Sequence, residues 1–193
     1  DSAFAVLFIQ QVNGQARIFD EIYVRGLHGD VIMAMVDQHT AAKDIVHIVL
    51  DVASRSHFNA QTSALESWTE HFGDAWPYKK VSLASQYVGV EDGISITRRY
   101  LRLSPITGEP GISISPKCKN TIREFEADYR YPPNAMRMKD GVKPMDKDNH
   151  SAKALAYWLV NRFGFMVERH ELPKNYITTP GYDRRRSLAG ARR

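Results

Sequence analysis

Residues 44–53, "DIVHIVLDVA", run almost unbroken through Ile45, Val46, Ile48, Val49 and Leu50 before stopping at Asp51. β-Branched residues at this density, with no polar alternation, predict a central strand covered on both faces. A strand of that kind needs helices on either side, so the stretch predicts an α/β protein. In open α/β sheets ligands gather beyond the carboxyl ends of strands, and Asp51 stands at one such end.

Upstream, "FAVLFIQQV" (4–12) and "ARIFDEIYV" (16–24) are β-rich runs, and Asn13-Gly14 between them signals a hairpin. "DVIMAMVDQHTAA" (30–42) spaces Val31, Ile32, Met35 and Val36 as a short amphipathic helix does. Downstream, "NAQTSALESWTEHFG" (59–73) puts Leu65, Trp68 and Phe72 on one helical face, with Gly73 as the stop. "YKKVSLAS" (78–85) predicts a strand, and "VEDGISITRRYLRL" (90–103) a helix capped by Asp92 with Ile94, Tyr100 and Leu101 turned inward. "GEPGISIS" (108–115) reads as a turn and a strand, and "TIREFEADYRY" (121–131) as a helix opened by a capping box from Thr121 to Glu124. "HSAKALAYWLVNRFG" (150–164) repeats Ala152, Leu155, Ala156, Leu159, Val160 and Phe163 at amphipathic spacing and closes on Gly164. A hairpin followed by alternating strands and helices predicts a mixed sheet flanked by helices.

The 193 residues, 43% hydrophobic and 25% charged, suffice for one domain with a substantial core. That domain is expected over 1–172, with a boundary near Pro173 and a basic tail over 173–193. The net charge of +4 is uneven: residues from Lys174 onward carry +5, so the first 173 sum to −1. "TTPGYDRRRSLAGARR" (178–193) reads as a flexible arm that binds phosphate or a partner, or as a tail that only aids solubility. A single cysteine, Cys118, excludes an internal disulfide and a cysteine-based zinc site, and suits a reducing compartment. No apolar run approaches the roughly 18–20 residues of a membrane span, and no signal-peptide pattern opens the chain.

Against that frame, "DKDNH" (146–150) is over-supplied. One of Asp148 or Asn149 suffices to cap the following helix, for about 1 kcal/mol. Asp51, likewise, could simply bond the amide of Ala53 or Ser54. Brought together, however, Asp51, Asp146, Asp148, Asn149 and His150 offer the oxygen-rich surroundings that magnesium or manganese prefers. Two such ions about 3.5–4 Å apart activate water and stabilise the leaving oxygen of a phosphodiester. Other chemistries lack their residues: there is no GxxxxGK[ST] and no HExxH, and Ser151 directly follows His150, too local for a hydrolase triad. Cys118 reads as a small buried residue, and His47, His57, His71 and His170 as structural or exposed.

The order "ARIFDEIYVRG", "VHIVLDVASRS", "WTEHFG", "EDGISITRRYLRL", "GISISPKCKNTIREFEADYRY" and "KPMDKDNHSAKALAYWLVNRFG" resembles the C-terminal nuclease domain of phage and herpesvirus large terminase subunits. The likeness covers about residues 1–165. It implies an RNase H-like (RuvC-type) fold and a two-metal-ion endonuclease, using Mg2+ or Mn2+, that cuts concatemeric viral double-stranded DNA during packaging. It implies Asp51 as the family's second metal-binding acid and Asp148 as the third, with His150 in the histidine position after it and Asp146 as a second candidate for the third role. Where the family often has an acid, this chain has Lys153, which would face a phosphate. The family's first aspartate ends a strand ahead of the hairpin, a strand this sequence is expected to lack, with Asp1 as a candidate substitute. The resemblance further implies a portal and a small terminase subunit as partners of the full-length protein, a host-cytoplasmic setting and no membrane; under this reading the arginine-rich tail, with Arg184, Arg185 and Arg186, would hold DNA or dock on the packaging apparatus. Two other readings stand beside it: another RNase H-like nuclease, such as a junction resolvase or integrase, and a non-catalytic DNA- or portal-docking module.

Overall fold

The computed structural model describes residues 3–56, 62–74, 76–77, 80–132 and 148–164. Strand β1 (Ala3–Val12) and strand β2 (Gln15–Arg25) pair antiparallel, closing at Val12 opposite Gln15. Asn13 and Gly14 both take positive φ, 51° and 80°, as a two-residue hairpin turn of matching twist requires. The register shifts between Phe8 and Ile9: Phe8 faces Asp20 and Ile9 faces Ile18, leaving Phe19 as the extra residue of a bulge. One extra residue exchanges the faces of everything beyond it. Ala16 and Ile18 therefore enter one core cluster, while Ile22 and Val24 join the other. Glu21, Tyr23 and Arg25 consequently project to the same side as Ile18.

Helix α1 (Gly29–Asp37) buries Ile32 and Val36 on the first face. Strand β3 (His47–Asp51) pairs in parallel with strand β4 (Ser82–Gln86), forming a second, two-stranded sheet. Between them helix α2 (Ala64–Trp68) begins in a complete capping box, Ser63 with Glu66, and continues as a π-helical turn over Thr69–Asp74. Gly73 lies inside that turn rather than stopping the helix. Helix α3 (Val90–Leu101) leads to strand β5 (Ile112–Ile114), which adds in parallel to β2. Helix α4 (Lys119–Arg123) runs on as a π-helical segment over Glu124–Asp128, and helix α5 (His150–Phe163) ends at Gly164 with φ 78°.

Two apolar clusters lie on the two faces of the β1–β2 pair. Phe8, Ile32, Leu50, Trp68, Phe72 and Val81 build one, and Ile18, Ile96, Ile112, Leu155, Leu159 and Val160 the other. The result is α/β: mixed strand pairing with helices on both sides. No helix among the described residues is long and apolar enough to cross a membrane.

Four expectations need correcting. Strand β3 is not covered on all sides, because only Leu50 is buried and Asp51 is exposed. Among the described residues its one strand neighbour is β4, and its other edge lines an open cleft of about 1180 Å³. Helix α3 starts after Gly89 without a side-chain cap from Asp92, and Leu101 is 42% exposed. Finally, Thr121 and Glu124 form no capping box, since both are engaged by distant strands and helices. The tail from 173 onward lies outside the described residues.

Candidate functional site

Helix α5 organises the site. Its first turn needs acceptors, and the N-cap residue Asn149 supplies none from its side chain. The acceptor comes from elsewhere: Glu124, fully buried, takes the amides of His150 at 3.1 Å and Ala152 at 2.9 Å. The Tyr23 hydroxyl donates to the same carboxylate at 3.0 Å. Burial raises the Glu124 carboxyl above its ordinary range, while the Ala152 amide and the Tyr23 hydroxyl pull it back. Burial and the Glu124 bond in turn push the Tyr23 hydroxyl up to about 12.

Glu21 does for α4 what Glu124 does for α5. Its carboxylate accepts from the amides of Asn120 at 2.8 Å and Thr121 at 2.9 Å, and from the Thr121 hydroxyl at 2.6 Å. Arg25 completes the stripe by donating to Asp148 at 2.6 Å. Asp148 itself takes φ 49°, a left-handed conformation that aspartate tolerates better than most residues. Three alternate residues of β2 thus hold α4, α5 and the residue leading into α5. The bulge at Phe19 turns all three toward the helices.

Asp51 stands across the cleft. It ends β3, is exposed, and accepts the Ala53 amide at 3.0 Å, the local bond expected of a strand-end carboxylate. Burial and the nearby Asp51 charge push the hydroxyl of Tyr157 on α5 up to about 12. Asp51, His150, Lys153 and Tyr157 line one cleft, whose long walls are β1 and β3. At the far end His47 bridges Ser82 at 2.5 Å and Asn161 at 2.8 Å, tying β3, β4 and α5 together. His47 is therefore structural, as expected. Arg162 and Gln11 meet at that same end, whereas Ala3 pairs with Arg25 beside Asp148 at the other. Strands β1 and β3 accordingly run in opposite directions along α5.

Of the residues singled out from sequence, Asp51, His150 and Lys153 share the cleft, whereas Asp148, two residues before His150, has its carboxylate on Arg25. Asp1, Asp146, Arg184, Arg185 and Arg186 lie outside the described residues. Among the described residues, no three histidine, cysteine, aspartate or glutamate side chains form a group that could hold a metal ion. Arg25, Tyr23 and Tyr157 escaped the sequence reading, and Glu124 was read only as part of a local capping box. Their roles depend on the bulge and on contacts across about a hundred residues, neither of which a local pattern carries. One signal was present: Glu124 lies among residues of "TIREFEADYRY" that a helix buries. No protein-family model, no curated protein and no solved structure matches the chain.

Proposed function

We propose that this chain is a metal-dependent DNA endonuclease domain of the terminase nuclease type, built on an RNase H-like sheet. One observation carries the reading. The start of α5 is capped by Glu124 through the amides of His150 and Ala152, and His150 lines a cleft that also receives Asp51 and Lys153, with Asp148 two residues before it. Carboxylate oxygens with an imidazole suit a hard divalent cation such as Mg2+ or Mn2+. When bound, such a cation supplies an activated water and charge neutralisation at a phosphodiester. Asp51 and Asp148 would hold it, His150 would sit beside it, and Lys153 would meet a phosphate. Packaging of viral double-stranded DNA, with a portal and small subunit as partners, follows from the same resemblance.

The two sheets add support. In the family the first acidic residue ends a strand ahead of the hairpin, and here β1 and β3 face each other across the cleft with no described strand between them. A strand running alongside β3 and opposite to β1 would end near Asp51, the same end at which β1 begins.

A docking module without catalysis is the second reading, favoured by the Arg25–Asp148 ion pair, which already satisfies that carboxylate. Plasmid cleavage in Mn2+ separates the two. Under the nuclease reading Asp51→Asn and Asp148→Asn each abolish cleavage while leaving the melting temperature in EDTA little changed. Undiminished cleavage by either variant would sink the assignment, and an inert unsubstituted chain would favour the docking module.

A further inference from the structure

Helix α3 and strand β5 are joined by a turn that fills no described core. Leu103 bridges Pro110, and Ile106 at the tip is 92% exposed, with Leu103 at 68%. Exposed aliphatic residues on a slack loop would be unremarkable, but this turn is heavily tied. The Ser104 amide donates to the Glu109 carbonyl at 2.9 Å, the Gly108 amide to the Ser104 carbonyl at 2.8 Å, and the Ser104 hydroxyl accepts the Ile106 amide at 3.2 Å. Gln15 anchors it to the hairpin by donating to the Glu109 carboxylate at 2.9 Å. At its base the Gly111 amide meets the Tyr100 carbonyl at 2.7 Å, so close that a Cβ there would lie 2.6 Å from the Tyr100 ring. The tip is thus held in place with its aliphatic side chains outward.

Arg98 and Arg99 in the last turn of α3 and Arg102 just past it lead into this turn, all exposed, and none forms an ion pair with a described residue. Glu109, the one acid between Arg98 and Gly111, is bonded to Gln15. A rigid aliphatic tip backed by three uncompensated guanidiniums fits an anionic partner with an apolar crevice. Duplex DNA has both: phosphates that guanidinium forks grip, and base steps between which an isoleucine can wedge from the minor groove. Two aliphatic side chains bury too little to hold a membrane surface.

We propose that this turn binds duplex DNA, with Arg98, Arg99 and Arg102 on the phosphates and Ile106 inserted between base pairs. The inference rests on the nucleic-acid reading above and extends it to a surface away from the acids. Tyr100 stacks on Phe163, at 4.8 Å between ring centroids, so the turn lies by the C-terminal end of α5 while Asp148 and His150 mark the other end. A helix of 14 residues spans roughly 20 Å at 1.5 Å per residue, about six base pairs of duplex. One duplex lying along α5 reaches both.

The test is binding, in EDTA, to a duplex carrying 2-aminopurine as a reporter of unstacking. The unsubstituted chain should raise its fluorescence. Replacing all three arginines by glutamine should weaken binding at least tenfold and reduce the slope of log affinity against log salt by about 2.7, at roughly 0.9 per lost phosphate contact. Ile106→Ser should abolish the fluorescence rise and leave the salt slope unchanged. Unaltered melting temperatures would exclude misfolding, since all four side chains are exposed. Wild-type affinity and slope in the arginine variant would overturn the proposal, as would a persistent fluorescence rise with Ile106→Ser, or binding to anionic vesicles in place of DNA. Because no metal is present, a chain that binds in this way but never cleaves refutes only the nuclease reading. A chain that cleaves normally while both variants bind as wild type refutes only the turn.

Discussion

At the scale of single residues, the site turns on which group answers which charge. Arg25 holds Asp148 in the absence of a cation, so the guanidinium and a divalent ion compete for one carboxylate. Arg25→Gln should therefore tighten Mn2+ binding several-fold, as titration calorimetry would register; unchanged affinity would remove Asp148 from the ligand set. Cys118 offers a pH reading independent of function. Burial pushes its thiol up to about 11, against about 8.5 for an unperturbed cysteine. The folded state therefore holds the thiol proton more tightly than the unfolded chain. The stability this provides is full below the unfolded value and is lost as pH rises through the folded one. Denaturant titrations between about pH 8.5 and 11 should show stability falling, and Cys118→Ala should remove that part of the slope. A slope equal in both proteins would show that the thiol titrates normally. Cys118 was legible from sequence as a small buried residue, whereas Arg25 was not, because nothing local links position 25 to position 148.

At the scale of elements, the sequence marked the hairpin, helices α3 and α5 and the strand ending at Asp51, because each advertises itself within about fifteen residues. It misread helix starts. The Thr121–Glu124 spacing fits a capping box, yet Glu21 captured Thr121 and the α5 amides captured Glu124. Long-range bonds that satisfy two amides at once outcompeted a local bond that would satisfy one. Removing Glu124 should accordingly be felt at α5, not at α4. Glu124→Ala leaves buried amides and the Tyr23 hydroxyl without an acceptor, at about 1–3 kcal/mol for each group so stranded. Hydrogen exchange should quicken first at the amides of His150 and Ala152. Faster exchange confined to residues 119–123 would mean that the cap belongs to α4 after all. The bulge at Phe19 was equally illegible, since one even-numbered apolar series, Ala16, Ile18, Ile22 and Val24, serves two opposite faces.

At the scale of the molecule, two sheets share their covering helices but not their hydrogen bonds. The expected α/β class holds, while a fully enclosed β3 does not, because half of its hydrogen-bonding edge opens on the cleft. That opening could not be read from "DIVHIVLDVA", whose composition is that of a strand with neighbours on both sides. Amides of β3 on that open edge should therefore exchange faster than those bonded to β4, and equal protection along the strand would show that the edge is covered.

Helix α5 closes one face of the hairpin and floors the cleft, yet it is made long after the hairpin it covers. On the ribosome, Ile18 emerges more than a hundred residues before Leu155 and Leu159, the side chains that will shelter it. At about 5–20 residues per second, that delay is on the order of ten seconds. Through that interval the nascent hairpin carries an uncovered apolar face and an unpaired strand edge, the two features that recruit foreign strands. Synthesis halted before His150 should leave a chain that chaperones hold; release into solution waits on helix α5.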